Sequence, residues 1–197
     1  MFPIPPATQI LLWLNIGIYL LDFSTSGQFS NVLALWPIGS EQAGGEGFEP
    51  WQLITYSFFH EGFWHIALNM LALWMFGSDV ERVWGRNRYL TYYFTCVVSA
   101  GLTQLLFTYV MHSPYPTVGA SGGIFGVLLA FALLFPRRTV VLVFPPIPMP
   151  AWLFVTGFAV IELWMGVTGT AAGVAHFAHL GGMLGGWLMI RYGRTRR

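Results

Sequence analysis

Charged residues are scarce in this sequence. They make up 9% of its 197 residues, whereas a soluble domain carries about a quarter. Hydrophobic residues account for 55%, and the mean hydropathy is +0.61. This composition excludes a soluble globular domain. It predicts an all-α membrane protein that crosses the bilayer several times and forms a single domain over residues 1–197.

Cysteine and clustered basic residues are also lacking. The single cysteine, Cys96, excludes an intrachain disulfide and a cysteine metal site. No basic stripe indicates a nucleic-acid partner. The sequence has no carboxylate–histidine cluster with the spacing of metal ligands, so we expect no metal and no cofactor. No basic residue precedes the first apolar run, so we expect neither a signal peptide nor a transit peptide.

Long apolar runs are abundant and predict six transmembrane helices. Polar turns separate most of them, and a Pro-rich connection precedes the fifth. The predicted spans are about 8–23, 64–80, 89–111, 119–135, 151–167 and 172–190. The long segment between the first two spans mixes short apolar pieces with glycine, proline and tryptophan. That mixture is typical of an ordered loop in the membrane interface.

The basic residues predict the orientation. All nine lie between spans two and three, between spans four and five, or after span six. The opposite side carries only acidic residues, namely Asp22, Glu41, Glu46, Glu49 and Glu61. By the positive-inside rule, both termini are expected in the cytoplasm and the long first loop outside.

Residues 117–126 place Ser121 among four glycines, where a loop passes into the fourth apolar run. A serine in the first turn of a helix lies beside unpaired backbone N–H groups and the positive end of the helix dipole. That is a suitable position for a nucleophile whose reaction develops an oxyanion. Taken alone, the pattern is also typical of a packing device, because small residues let membrane helices approach closely.

Polar side chains from two other spans are predicted at the same depth. His65 and Asn69 lie one turn apart on one face of span two, and His179 lies in the outer part of span six. Each of them alone is compatible with a helix–helix hydrogen bond. Together with Ser121 they form a polar layer in the outer third of the bundle, which indicates a functional site.

Small residues predict which helices touch. Gly122 and Gly126 form a stripe on span four, and Gly182 and Gly186 share a face with His179 on span six. Close contact between these two stripes would bring Ser121 and His179 within hydrogen-bond range.

These motifs resemble those of the rhomboid intramembrane serine proteases. The resemblance covers about residues 8–190 and includes the six-span plan and the long first loop of the minimal bacterial form. Its motifs are GASG at 119–122, HxxxN at 65–69, AHLGG at 178–182, PWQLIT at 50–55 and ExxxG at 81–85. The resemblance implies a six-helix bundle in a bacterial inner membrane, with the active site open to the outer side.

The resemblance also implies roles. Ser121 would be the nucleophile and His179 its general base, in a dyad with no carboxylate. The Ser121 backbone N–H and the side chains of His65 and Asn69 would form the oxyanion hole. Phe125 would pack on the histidine. The implied activity is hydrolysis of peptide bonds in or near transmembrane segments of other proteins, with the bilayer and those proteins as partners and no metal.

Some residues keep open roles. His176 is expected to line the mouth of the site or to be structural, and Glu162 to be a hydrogen-bond partner of unknown identity. Gln52 stands where the family often has arginine, so an arginine contact is not expected. Glu81 and Arg82 are expected to cap the inner end of span two or to bond to the following loop.

Two further histidines lie outside the predicted spans. His60 is expected to order the first loop, and His112 to be a solvated loop residue.

Two other function classes compete with a protease. A rhomboid-like helix-binding factor without protease activity would be expected to lose Ser121 or His179, and both are present. A small transporter or channel often shows an internal repeat, and none is found in the sequence.

Overall fold

A computed structural model describes residues 3–142, 145–170 and 175–193 of the chain. The described part is mainly helical, which confirms the predicted fold class. Its α-helices are α1 (Pro6–Ser24), α2 (Gln28–Leu33), α3 (Gln52–Thr55), α4 (Phe63–Ala72), α5 (Ser78–Trp84), α6 (Arg86–Met111), α7 (Ser121–Leu134), α8 (Ala151–Thr168) and α9 (His176–Tyr192). A π-helical turn, Leu73–Gly77, joins α4 to α5, and short 3₁₀ turns lie at Ser40–Ala43 and Tyr56–Phe58.

Three of the described helices, α1, α6 and α8, are long and apolar enough to cross a membrane, and α7 is a shorter apolar helix. The second predicted span corresponds to α4, the π turn and α5 together. The predicted start of the sixth span, residue 172, lies outside the described residues, as do Arg194, Arg196 and Arg197 of the tail. Six spans therefore remain a prediction.

A short antiparallel strand pair lies in the Pro-rich connection. Strand β1 (Thr139–Val141) pairs with β2 (Pro148–Pro150), with Val140 opposite Met149. Proline cannot donate to a ladder, so it is confined to edge strands, and both strands of a two-stranded sheet are edges.

The centre of the bundle is α7, which packs between α6 and α9 and is buried along most of its length. In contrast, α8 exposes large apolar side chains, among them Trp152, Val160 and Trp164. Exposed apolar side chains on a helix of this composition are expected to face lipid.

Glycines bring the backbones of α7 and α9 together. A Cβ added at Gly182 would meet the backbone carbonyl of Gly122, and one added at Gly126 would meet the side chain of Cys96 on α6. A Cβ at Gly186 would meet Cys96 and the Tyr92 hydroxyl. Larger residues at these positions would force the three helices apart.

The first loop is ordered by the side chain of Gln52, which is buried. Its amide oxygen accepts from the backbone N–H groups of Trp36 at 3.1 Å and Glu49 at 3.2 Å. Its amide nitrogen donates to the carbonyls of Val32 at 3.1 Å and Gly47 at 3.2 Å. All the hydrogen-bonding capacity of one neutral side chain is thus used to tie distant parts of the loop together.

Glu81 has a different role from the one expected. Its carboxylate accepts from the backbone N–H groups of Ala7 at 2.9 Å and Thr8 at 2.7 Å, and from the Thr8 hydroxyl at 2.8 Å. It therefore caps the N-terminus of α1, where first-turn N–H groups have no partner within the helix. Arg82 bonds to Asp79 and to the carbonyl of Pro3. The expectation that these residues serve span two or the loop after it was wrong for Glu81, whereas Arg82 does bond to Asp79 at the inner end of span two.

Candidate active site

Ser121 is the first residue of α7, and the preceding loop holds it in place. Thr117 pairs with Leu35 of the first loop through two backbone hydrogen bonds of 2.9 Å. The Gly119 N–H donates to the carbonyl of Tyr56 at 3.0 Å, and Gly119 has a φ of +132°. Few side chains tolerate that backbone conformation, so glycine is needed immediately before the serine turn.

His179 lies on α9 opposite the serine. Its Nε2 is 2.7 Å from Ser121 Oγ. The ring of Phe125, one turn after the serine, stacks on the imidazole with centroids 4.3 Å apart and planes 3° from parallel. The structure therefore brings together the predicted nucleophile, the predicted base and the predicted packing ring.

A carboxylate stands behind the histidine. Glu162 of α8 is buried, and its Oε2 lies 2.8 Å from His179 Nδ1. The expectation of a dyad with no carboxylate is therefore corrected. An ionisable residue in an apolar helix was the only sequence signal, and it did not indicate a partner.

The same carboxylate oxygen meets a second histidine. His176 Nδ1 lies 2.7 Å from Glu162 Oε2, and His176 Nε2 lies 3.2 Å from the carbonyl oxygen of Thr170. His176 is buried, so it is a member of a buried polar cluster and does not line an open mouth.

His65 approaches the serine from α4. A Cβ added at Gly119 would be 2.8 Å from His65 Nε2 and 3.5 Å from Ser121 Oγ, so both atoms border one small space. Asn69 lies one turn further along α4 and donates from Nδ2 to the His65 carbonyl at 2.9 Å. The second Nδ2 hydrogen of Asn69 is not used by that bond.

His60 packs edge-on against His65, with ring centroids 4.9 Å apart. Burial, followed by the neighbouring His65, lowers the pKa of His60 to about 3. His60 is therefore neutral at physiological pH and adds no positive charge beside His65.

Among the residues that the structure describes, Glu162, His176 and His179 also form a group that could hold a metal ion. One ligand atom from each lies within 4.8 Å of the others. Two imidazoles and a carboxylate are ligands that Zn²⁺ accepts. This group joins two helices and has no signature spacing in the sequence, so the absence of a spaced carboxylate–histidine motif did not indicate it. The expectation of no metal stays a prediction.

Comparison with known proteins adds family evidence. The family model described as "Rhomboid domain" matches residues 47–196. The chain is 34% identical over 145 residues to "Rhomboid protein 1, mitochondrial" of Saccharomyces cerevisiae, covering 69% of the chain and 40% of the yeast protein. It is 31% identical over 192 residues to "Rhomboid protease GluP" of Bacillus subtilis, covering 93% of the chain and 34% of that protein.

A human protein, "Presenilin-associated rhomboid-like protein, mitochondrial", is 30% identical over 148 residues, which covers 73% of the chain and 38% of the human protein. The chain thus spans less than half the length of each of these relatives.

Proposed function

This chain belongs to the rhomboid family, and from that membership we propose that it is an intramembrane serine endopeptidase. Its substrates would be membrane proteins, cut at peptide bonds in or near their transmembrane segments. The observation that carries the proposal is the 2.7 Å separation between Ser121 Oγ and His179 Nε2. A serine becomes nucleophilic when an adjacent base takes its proton, and this distance allows a direct transfer.

In the proposed reaction, Ser121 Oγ attacks the scissile carbonyl carbon while its proton passes to His179 Nε2. The imidazolium then gives that proton to the leaving amine, and an acyl-enzyme forms. Water attacks the acyl-enzyme with the same histidine as base, which releases the second product and restores the serine. This chemistry uses no cofactor.

The Ser121 N–H, His65 and Asn69 are the proposed oxyanion donors. The Ser121 N–H opens α7, so it has no carbonyl partner within that helix. His65 Nε2 borders the same small space as the serine oxygen. Removing one such donor typically costs about 10²- to 10³-fold in kcat.

A helical substrate hides its backbone carbonyls in hydrogen bonds, so it must unwind locally before attack. The reaction also needs water. We therefore propose a site that opens to the outer aqueous side, with both termini in the cytoplasm. The chain is an integral membrane protein, and an inner bacterial membrane is the proposed location, although its relatives include mitochondrial proteins.

The test compares the parent with Ser121→Ala and His179→Ala on a reporter transmembrane substrate in detergent and in vesicles. Both variants should lose cleavage by about 10³-fold or more, because the nucleophile and its base act as a unit. A fluorophosphonate probe should label the parent and fail to label Ser121→Ala. Cleavage by both variants at the parent's rate would refute the proposal.

A further inference from the structure

Counting protons in the buried cluster reveals an ordered chain of donors and acceptors. The Thr170 carbonyl can only accept, so His176 Nε2 must carry the hydrogen of that 3.2 Å bond. Before reaction, His179 Nε2 accepts a hydrogen bond from the Ser121 hydroxyl. The hydrogen of neutral His179 therefore lies on Nδ1, which faces Glu162.

The contact between His176 and Glu162 needs one more proton than these two neutral histidines carry. His176 Nδ1 faces the same oxygen, Glu162 Oε2, at 2.7 Å. With an ionised carboxylate and a neutral His176 carrying its hydrogen on Nε2, two acceptors would face each other. One additional proton between Glu162 and His176 satisfies every contact, and it leaves that pair with no net charge.

We propose that Glu162 is a positioning residue for His179. By accepting from Nδ1, it holds the imidazole in the tautomer whose Nε2 lone pair points at the serine. Its oxygen also keeps a hydrogen bond to Nδ1 of the imidazolium that forms when His179 takes the serine proton, which stabilises that cation. This inference rests on the proposed protease function and concerns the same site.

His176 has a supporting role in this arrangement. A lone carboxylate inside an apolar helix bundle is costly, and pairing it with a cation or a shared proton reduces that cost. His176 is one turn from His179 on α9, so it anchors Glu162 to the same helix that carries the base. A carboxylate bonded only to His179 could rotate away from it, whereas two donors fix its oxygen.

The geometry also separates this role from a purely structural one. Glu162 belongs to an uninterrupted series of hydrogen bonds that ends on the reacting oxygen, with contacts of 2.8 Å to His179 and 2.7 Å from His179 to Ser121. A carboxylate that only joined α8 to α9 would need one of the histidines. It would not need the Nδ1 atom of the very ring that faces the serine.

The experiment measures the rate at which a fluorophosphonate probe labels Ser121, because labelling reports serine activation without any substrate. The variants are Glu162→Gln, which keeps the size, and Glu162→Leu, which removes both charge and acceptor. Expected losses are about 10-fold or more for Glu162→Gln and about 100-fold or more for Glu162→Leu. Glu61→Gln, an exposed carboxylate of the first loop, should label within about twofold of the parent.

A second readout is reporter cleavage. A positioning role predicts that kcat falls in the Glu162→Gln variant while KM stays within about twofold, because substrate contacts are unchanged. Labelling and cleavage are normalised to the folded fraction, measured by thermal unfolding in detergent. If Glu162→Gln and Glu162→Leu label like the parent while Ser121→Ala stays unlabelled, the inference is overturned and the protease proposal stands.

The double variant Glu162→Leu with His176→Leu removes both buried polar groups, so neither partner is left unpaired. If His176 acts only through Glu162, the double variant should lose no more activity than Glu162→Leu alone. Losses that multiply would instead show independent roles and refute the shared arrangement. No labelling of the parent at all would remove the protease proposal and this inference with it.

Discussion

The interface between α7 and α9 and the helix α8 contribute to the site in opposite ways. At the interface, backbone meets backbone, and the added Cβ of a single alanine at Gly182 would overlap the carbonyl of Gly122. On α8, a Cβ added at Gly157 would meet nothing within 4 Å. The nucleophile and the base are thus positioned by close packing of α7 on α9. Helix α8 approaches α9 closely at Gly166, where an added Cβ would be 2.9 Å from the Phe177 ring, and Glu162 reaches the site through hydrogen bonds of its side chain.

The largest effect is expected when the same change, glycine to alanine, is made on α9 and, for comparison, on α8. Gly182→Ala should reduce cleavage by about 100-fold or more and lower the unfolding temperature, since overpacking at a backbone contact typically costs about 1–3 kcal/mol and separates serine from histidine. Gly157→Ala should leave cleavage within about twofold of the parent. Reporter cleavage and thermal unfolding measure both. Equal losses in the two variants would contradict the comparison.

A paired substitution on α6 and α7 tests whether close packing limits activity at a second contact. The added Cβ of Gly122→Ala would meet the Cβ of Ala100, so this variant should lose about 10-fold or more in cleavage. Adding Ala100→Gly makes the missing room, and the double variant should recover most of that loss. A double variant no better than Gly122→Ala would show that space at this contact does not limit activity.

Phe125 links the glycine-packed centre to the base. Its ring stacks on His179, and such aromatic pairs are worth about 0.5–1.5 kcal/mol. Phe125→Leu should therefore lower kcat by about 2- to 10-fold with little change in KM. Phe125→Tyr keeps the ring and serves as the matched control. A larger loss in the tyrosine variant than in the leucine variant would argue against stacking as the cause.

The smallest expected effect concerns the pH dependence of stability and the buried His60 of the first loop. The pKa of His60 is lowered to about 3 in the folded protein, so between pH 6.5 and that value the unfolded chain binds more protons and stability falls as pH falls. Removing the ring with His60→Leu should weaken this acid sensitivity, by about 2 kcal/mol between pH 7.5 and 5.

Unfolding temperatures at those two pH values provide the measurement for His60. The parent, measured at the same two pH values, provides the reference. A His60→Leu variant that is as acid-sensitive as the parent would contradict the lowered pKa.

The sequence was most informative where small residues repeat. The spacing of Gly122 and Gly126 on one helix and of Gly182 and Gly186 on the other indicated which helix faces meet, because glycines four residues apart lie on the same face of a helix. In the structure Gly182 lies at a backbone contact with Gly122, and Gly126 also borders the Gly182 carbonyl, whereas the nearest neighbours of Gly186 are side chains of α6. The helical fold class and the family were likewise predictable, because apolar runs and short motifs can each be recognised within a single helix or loop.

The carboxylate cluster was not available in that way. Glu162 and His176 lie on different helices, 14 residues apart, so no periodicity joins them. Their pairing depends on the rotation of α8, which is set by packing. The four hydrogen bonds of Gln52 were hidden for the same reason, since they join pieces of an irregular loop. The cap on α1 supplied by Glu81 required knowing that α1 begins beside α5.

The exposure of α8 has a consequence for the environment of this protein. Less of α8 than of α6 is buried in the bundle, so lipid is expected to be the main neighbour of the helix that carries Glu162. A helix in that situation tilts to match the thickness of the hydrocarbon layer around it. A change in lipid acyl chain length would then move Glu162 relative to the His179 imidazole, and the thickness of the membrane would influence the rate of hydrolysis.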